Sequence, residues 1–206
     1  MHTKPLFVTG IGTGIGKTLV AAVLVEKLQA DYWKPIQSGD LDASDTLKVQ
    51  GLVSNPKTIF HPETYRLTQP YSPHKSAELD GIVIDENKIS LPQTNNTLVI
   101  EGAGGLMVPL NDHFLMVNLI SQLNAEVILV SQNYLGSINH TLLSVELLKQ
   151  RGIPVKGIIF NGESNASSEE YILNYTKLQL LGRLPVLKIK SIDKEAVIKS
   201  GELFIL

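Results

Sequence analysis

Apolar runs of four to six residues recur along the chain, each bounded by polar or glycine-rich stretches. The runs "LFVT" (6–9), "TLVI" (97–100), "EVILV" (126–130) and "VKGIIF" (155–160) show little alternation, the pattern of strands buried on both faces. Two shorter candidates are "YWKPI" (32–36) and "GRLPV" (182–186). Between them apolar residues return at helical spacing: Leu19, Val20, Val23, Leu24 and Leu28 in one segment, Ile138, Leu142, Val145 and Leu148 in another. Strand alternating with helix predicts an α/β fold in three layers, a mostly parallel twisted sheet with helices on both faces. Such sheets bind ligands beyond the carboxyl ends of their strands, so the residues that follow each strand are where chemistry is expected. Residues 53–96, rich in Pro, Thr, Asn and Ser, break the pattern and form the least regular stretch. No repeat or linker divides the chain, and a single domain over 1–206 is expected.

The first strand runs into "VTGIGTGIGKTLV" (8–20). Glycines let successive backbone N–H groups turn inward around an oxyanion, and the helix opening at Gly16-Lys17-Thr18 adds the positive end of its dipole. In such a phosphate-binding loop Lys17 reaches the β- and γ-phosphates and the Thr18 hydroxyl ligates Mg²⁺. Five residues, not the usual four, separate Gly10 from Gly16. The strand at 97–100 is followed by Glu101 and three glycines in "TLVIEGAGG". An acid there either holds Mg²⁺, directly or through water, or merely closes a tight turn. In "WKPIQSGD", Lys34 ends a short strand and is, taken alone, as readily a solvated lysine as a functional one. Asp45 in "ASDTL" suits either a cation site or a helix cap, and Asn161-Gly162 either a turn dipeptide or a ligand contact.

Composition narrows the chemistry. The formal charge of −2, from 18 Lys+Arg against 20 Asp+Glu, disfavours a broad grip on nucleic acid or an acidic membrane. The complete lack of cysteine removes thiolate nucleophiles, disulfides and Cys-based metal sites together. No apolar run approaches the roughly 20 residues needed to span a bilayer, and "MHTKPLFVTG" has no secretory pattern, so a cytoplasmic protein is expected.

Taken in order, "FVTGIGTGIGKT", "WKPIQSG", "ASDTL", "SPHKSA", "VIEGAGGLMVPL", "LGSINH" and "IFNG" resemble the dethiobiotin synthetase family over residues 6–162, with "LGRLP" (181–185) a weaker extension. The resemblance implies a P-loop NTPase-like fold. It also implies an ATP-dependent ring closure: 7,8-diaminopelargonate captures CO₂ as a carbamate, and the carbamate is phosphorylated by ATP. The second amine then closes the ureido ring with release of phosphate. By resemblance Lys34 and Lys17 are catalytic, and Gly14, Ile15, Gly16, Lys17, Thr18 and Leu19 hold the nucleotide. Asp45, Glu101, Gly102, Ala103, Gly104, Asn161 and Gly162 also belong to the nucleotide side, with Asn161 reading adenine. Mg²⁺ would be held by Thr18, Asp45 and Glu101. Thr13 and Ser38 would hold the diamine, and Gly136, Ser137, Ile138 and Asn139, from the partner of a homodimer, its carboxylate tail. His74 is expected to make local hydrogen bonds. Two departures stand out: Gly14 lies where the family often has an acid, and the tail after Leu187 matches poorly. A regulatory P-loop ATPase of the partitioning or division-site type is the alternative, but its extra lysine is replaced here by Gly12.

Overall fold

The structure is a computed structural model that describes residues 4–186 and 192–206. Seven strands form one sheet in the order β4 (Phe60–His61), β2 (Asp31–Trp33), β6 (Leu98–Gly105), β1 (Leu6–Gly10), β7 (Glu126–Gln132), β8 (Val155–Asn161) and β9 (Leu180–Leu184). Every ladder in it is parallel. A second parallel pair joins β3 (Ile36–Ser38) to β5 (Tyr65–Leu67). The helices are α1 (Lys17–Leu28), α2 (Asp45–Leu52), α3 (Pro73–Leu79), α4 (Met116–Gln122), α5 (Ser137–Gln150), α6 (Ala166–Thr176) and α7 (Lys194–Glu202).

Because successive side chains of a strand point to opposite faces, each unbroken apolar run feeds two cores. Val8, Val99, Ile128 and Val130 pack against Val20, Val23 and Leu24 of α1, Val49 of α2 and Val197 of α7. On the other face Phe7, Ile100, Val127 and Leu129 meet Met116 and Leu119 of α4, Val145 and Leu148 of α5 and Ile172 of α6. Six consecutive residues of α1, Val20 to Val25, are buried. That suits a helix apolar nearly all round, wedged between the sheet, α2 and α7. It ends at Gln29, which turns left-handed at φ 50° and returns its N–H to Glu26 and Val25.

Three expectations need correction. The strand foreseen at 32–36 is two strands in two sheets. Trp33 makes the last pairing with β6, opposite Ile100, and Pro35, which has no N–H to give a ladder, passes the chain to β3. The strand at 97–100 does not stop at the acid but runs on to Gly105. The strand placed at 182–186 lies two residues earlier, at 180–184, in register with β8. Within 53–96 the chain makes β4, β5 and α3, elements too short to carry a periodic pattern. The C-terminal segment closes over α1: Lys27 Nζ donates to the Gly201 carbonyl at 2.8 Å and Phe204 is buried.

Candidate active site

The loop between β1 and α1 opens at the carboxyl end of the sheet's central strand. Gly14 and Gly16 take φ values of 75° and 92°, which only glycine adopts without strain. A side chain at Gly16 would also collide with the amide of Asn161. That amide donates to the Ile15 carbonyl at 2.9 Å, so the end of β8 clamps the loop from outside. Lys17 lies back across the loop, its ammonium donating to the Gly12 carbonyl at 2.8 Å. Burial lowers its pKa to about 8, against the upward pull of Glu101.

Strand parity brings the remaining charges to the same place. Val99 and Glu101 point to the α1 side of β6, and Tyr32 points the same way from β2, with Lys34 two residues on. The Glu101 carboxylate accepts from Thr18 Oγ1 at 2.8 Å, from the Tyr32 hydroxyl at 2.8 Å and from Lys34 Nζ at 3.2 Å. Lys34 also pairs with Asp45, whose other oxygen accepts from Lys48 Nζ at 3.1 Å. Burial works against the Lys34 ammonium, but Glu101 and Asp45 outweigh it and hold its pKa above the ordinary lysine value. Burial likewise opposes ionisation of Asp45, yet Lys34 and Lys48 keep its carboxyl below the usual range. The phenol of Tyr32 is pushed well up by complete burial beside Glu101. The lysine is therefore a cation and Tyr32 a neutral donor at neutral pH.

The ambiguity at Asp45 is resolved by its neighbour. Ser44 is the N-cap of α2, its side chain accepting from the Leu47 N–H, which leaves the Asp45 carboxylate free to face Lys34. Gln37 fixes the backbone there, accepting from the Asp45 N–H at 3.2 Å and donating to the Gly39 carbonyl at 2.9 Å.

Lys17, Thr18, Lys34, Gln37, Asp45, Lys48 and Glu101 line one cleft of about 830 Å³, together with Thr13, Gly14, Gly16, Ser38, Gly102, Ala103 and Gly104, and Tyr32 lies buried behind them. Ser38 Oγ is buried and has no partner among the described residues, so a polar ligand group in the cleft would satisfy it. The wall opposite the charges is formed by Ile36, Val108 and the segment Pro70 to Pro73. Sequence reasoning missed Tyr32, Gln37, Asp40, Lys48 and this segment. Tyr32 looked like one more strand aromatic, and only the 101 partner reveals its hydroxyl.

Other expected site residues lie elsewhere. Ile15 is buried and offers only its backbone, and Leu19 packs beside the α1 core. Gly162, at φ 97°, borders a neighbouring cleft of about 410 Å³ with Arg183, Leu184 and Pro185. Gly136 and Ile138 border a third, of about 480 Å³, while Ser137 is 2% exposed and Asn139 lies on the surface. Residues 136–139 thus do not join the Lys34 cleft within one chain. His74 hydrogen-bonds Ser72 at 3.0 Å, the local contact expected of it.

Thr18, Asp45 and Glu101 offer hard oxygen donors of the kind Mg²⁺ takes: Asp45 and Glu101 meet at the Lys34 ammonium, and Thr18 joins them through its hydrogen bond to Glu101. Among the described residues no three His, Cys, Asp or Glu side chains could hold a metal between them. A Mg²⁺ ion bound by one or two carboxylates together with substrate phosphates needs no such group.

Comparison with known proteins agrees with this arrangement. A family model described as an AAA domain matches residues 4–192. Among solved structures, a ParA family ATPase from Chlorobium tepidum superposes with a TM-score of 0.58 at 14% identity, over 98% of this chain and 92% of that one. The septum site-determining protein MinD from Pyrococcus horikoshii, complexed with Mg-ADP, gives 0.59 at 14%, over 97% and 94%. At such identity they speak for the fold, that of P-loop ATPases. The ATP-dependent dethiobiotin synthetase BioD of Christiangramia forsetii is 53% identical over 88% of this chain and 87% of its own length. That of Cytophaga hutchinsonii is 51% identical over 94% and 93%. With half its residues shared along nearly the whole length of such relatives, the chain belongs to the family of ATP-dependent dethiobiotin synthetases.

Proposed function

We propose that this cleft converts 7,8-diaminopelargonate, CO₂ and ATP to dethiobiotin, ADP and phosphate, with the whole chain acting as one catalytic unit. One amine adds to CO₂ to give a carbamate and releases a proton. A carbamate oxygen attacks the γ-phosphorus of ATP, expelling ADP and leaving a carbamic-phosphoric anhydride. The second amine attacks its carbonyl carbon and expels phosphate as the ring closes. The nucleophiles are the substrate's own, so the protein has to position groups and balance charge.

The observation that carries this reading is the burial of the Lys34 ammonium beside the phosphate loop, within reach of Glu101 and Asp45. A fixed cation there stabilises a carbamate formed next to a triphosphate. Lys17 and the loop N–H groups take the phosphates, and Thr13 and the Ser38 hydroxyl, which has no partner among the described residues, hold the diamine end. Mg²⁺, held by Thr18, Asp45 and Glu101, would supply charge neutralisation between the phosphates. Asn161 and Gly162 stand on the base side of the nucleotide. The N-terminus of α5, with Gly136 as N-cap at φ 100°, offers free N–H groups suited to the diamine's carboxylate. That segment opens away from Lys34 in its own chain, which supports a homodimer in which each protomer completes the other's site. No described helix is long and apolar enough to cross a membrane, and the enzyme acts in the cytoplasm.

Incubation with diaminopelargonate, bicarbonate, ATP and Mg²⁺ should yield dethiobiotin, identified by mass. Phosphate release that ignores the diamine would instead point to a regulatory ATPase.

A further inference from the structure

We propose that Glu169 is a positioning residue for this reaction. Its carboxylate locks the loop after β8 and the turn leading to Gly136 into one arrangement, so that nucleotide and diamine seats are set together. The inference rests on the function proposed above.

Glu169 lies on α6 with 1% of its surface exposed. One carboxylate oxygen accepts from Arg183 Nε at 2.5 Å. The other accepts from Asn133 Nδ2 at 2.8 Å and from the Asn165 N–H at 3.2 Å. These donors belong to the carboxyl ends of three neighbouring strands: Asn133 follows β7, Asn165 lies in the loop after β8, and Arg183 is in β9. Asn133 spends its second amide proton on the Glu163 carbonyl, at 2.9 Å, so the two loops are joined twice.

From this knot the constraint runs both ways. Asn161, at the start of the β8 loop, holds the phosphate loop through the Ile15 carbonyl, and the Gly162 N–H is tied to the Leu184 carbonyl at 2.9 Å. On the other side Asn133 leads into the turn closed by the Ser137 N–H on the Tyr134 carbonyl at 3.0 Å, from which α5 starts. A buried carboxylate adds little to stability over a well-packed apolar side chain, whereas it fixes the geometry of every donor it gathers. Lys34, Thr18, Asp45 and Glu101 share no hydrogen bond with this network, so removing it should weaken binding and leave the reacting centre formed.

Glu169→Ala should raise KM for both ATP and the diamine at least fivefold while kcat stays within threefold of the parent. Glu169→Gln keeps an acceptor for Asn133 and Asn165 and should bring both KM values back to within twofold. A merely structural residue would lower Tm and leave the KM values of the folded protein alone; that result overturns the proposal. Should Glu169→Ala fail to fold, Asn133→Ala leaves the Glu169–Arg183 pair intact and should raise the diamine KM fivefold or more. An unchanged KM there would equally overturn it. If the parent protein makes no dethiobiotin, the reading of function fails on its own. The positioning claim is then decided by calorimetry of ATP binding, where Glu169→Ala should raise Kd at least fivefold and an unchanged Kd refutes it.

Discussion

Lys34 is held between two carboxylates, almost wholly buried in the wall of the cleft, and this sets what its removal does. Lys34→Ala should lower turnover by 10²-fold or more, the scale of losing one fixed charge at a developing anion. ATP binding, measured by calorimetry, should stay close to that of the parent, and wild-type turnover would rule out the role. The same change strands the buried Glu101 without its counter-ion, while Asp45 keeps Lys48, so a stability loss of about 3–5 kcal/mol should accompany it in urea unfolding. Thr18→Val removes the hydroxyl that meets Glu101 at 2.8 Å. It should weaken Mg²⁺-dependent nucleotide binding by about tenfold or more, the effect of one hydrogen bond to a charged group. Binding that is equally tight with and without the hydroxyl would remove Thr18 from the metal set. At this scale the sequence was informative where a residue type has few other uses beside a glycine loop, as with Lys17 and Thr18. It was silent on Glu169 and Arg183, which in "SSEEYIL" and "GRLP" look like ordinary solvated charges. The burial of Glu169, beneath a half-exposed Arg183, depends on three strand ends meeting.

Elements were legible in proportion to their burial. β1, β7 and β8 announce themselves because both faces are covered, and α1 because its apolar positions recur over three turns. The step from β2 to β3 was not legible. A proline in an apolar run suggests a strand edge, but which sheet the chain enters next depends on β5, thirty residues on. Edge elements also rely on polar ties. Asp31, the first residue of β2, is fully buried and accepts from Thr94 Oγ1 at 2.6 Å, the Ile59 N–H at 3.0 Å and Asn96 Nδ2 at 3.1 Å. It thereby anchors the chain entering β4 and the chain entering β6. Burial raises its pKa, but these hydrogen bonds outweigh it and hold the carboxyl below the ordinary value of 3.8. As pH falls below that value the unfolded chain takes up the proton first, so the stability supplied by Asp31 is full above it and is lost as pH drops through the folded-state pKa. Asp31→Asn should cost about 1–3 kcal/mol at pH 7. The gap from the parent should narrow by pH 3 in urea titrations; a gap that is constant with pH would assign the loss to packing instead.

Across the whole molecule, the charged cleft draws on β3, β6 and the residues that follow β1 and β2, whereas Gly136 and Ile138 border a separate cleft beyond β7. Leu135, in the turn before them, stands fully exposed with Tyr134 beside it. If a second protomer supplies residues 136–139, specific activity should fall on dilution in step with dissociation followed by light scattering. Full activity in a monomeric sample would refute the shared site. The arrangement of strands has one more consequence, for how the protein is made. The central strand β1 pairs with β6 and β7, roughly 90 and 120 residues further along the chain, so its flanks stay open until those distant segments have been synthesised. Parallel pairings this distant close slowly, because the intervening chain must be ordered first. The phosphate loop therefore gains its shape late, and ATP will select molecules that have finished folding, lengthening their lifetime without guiding the route by which they got there.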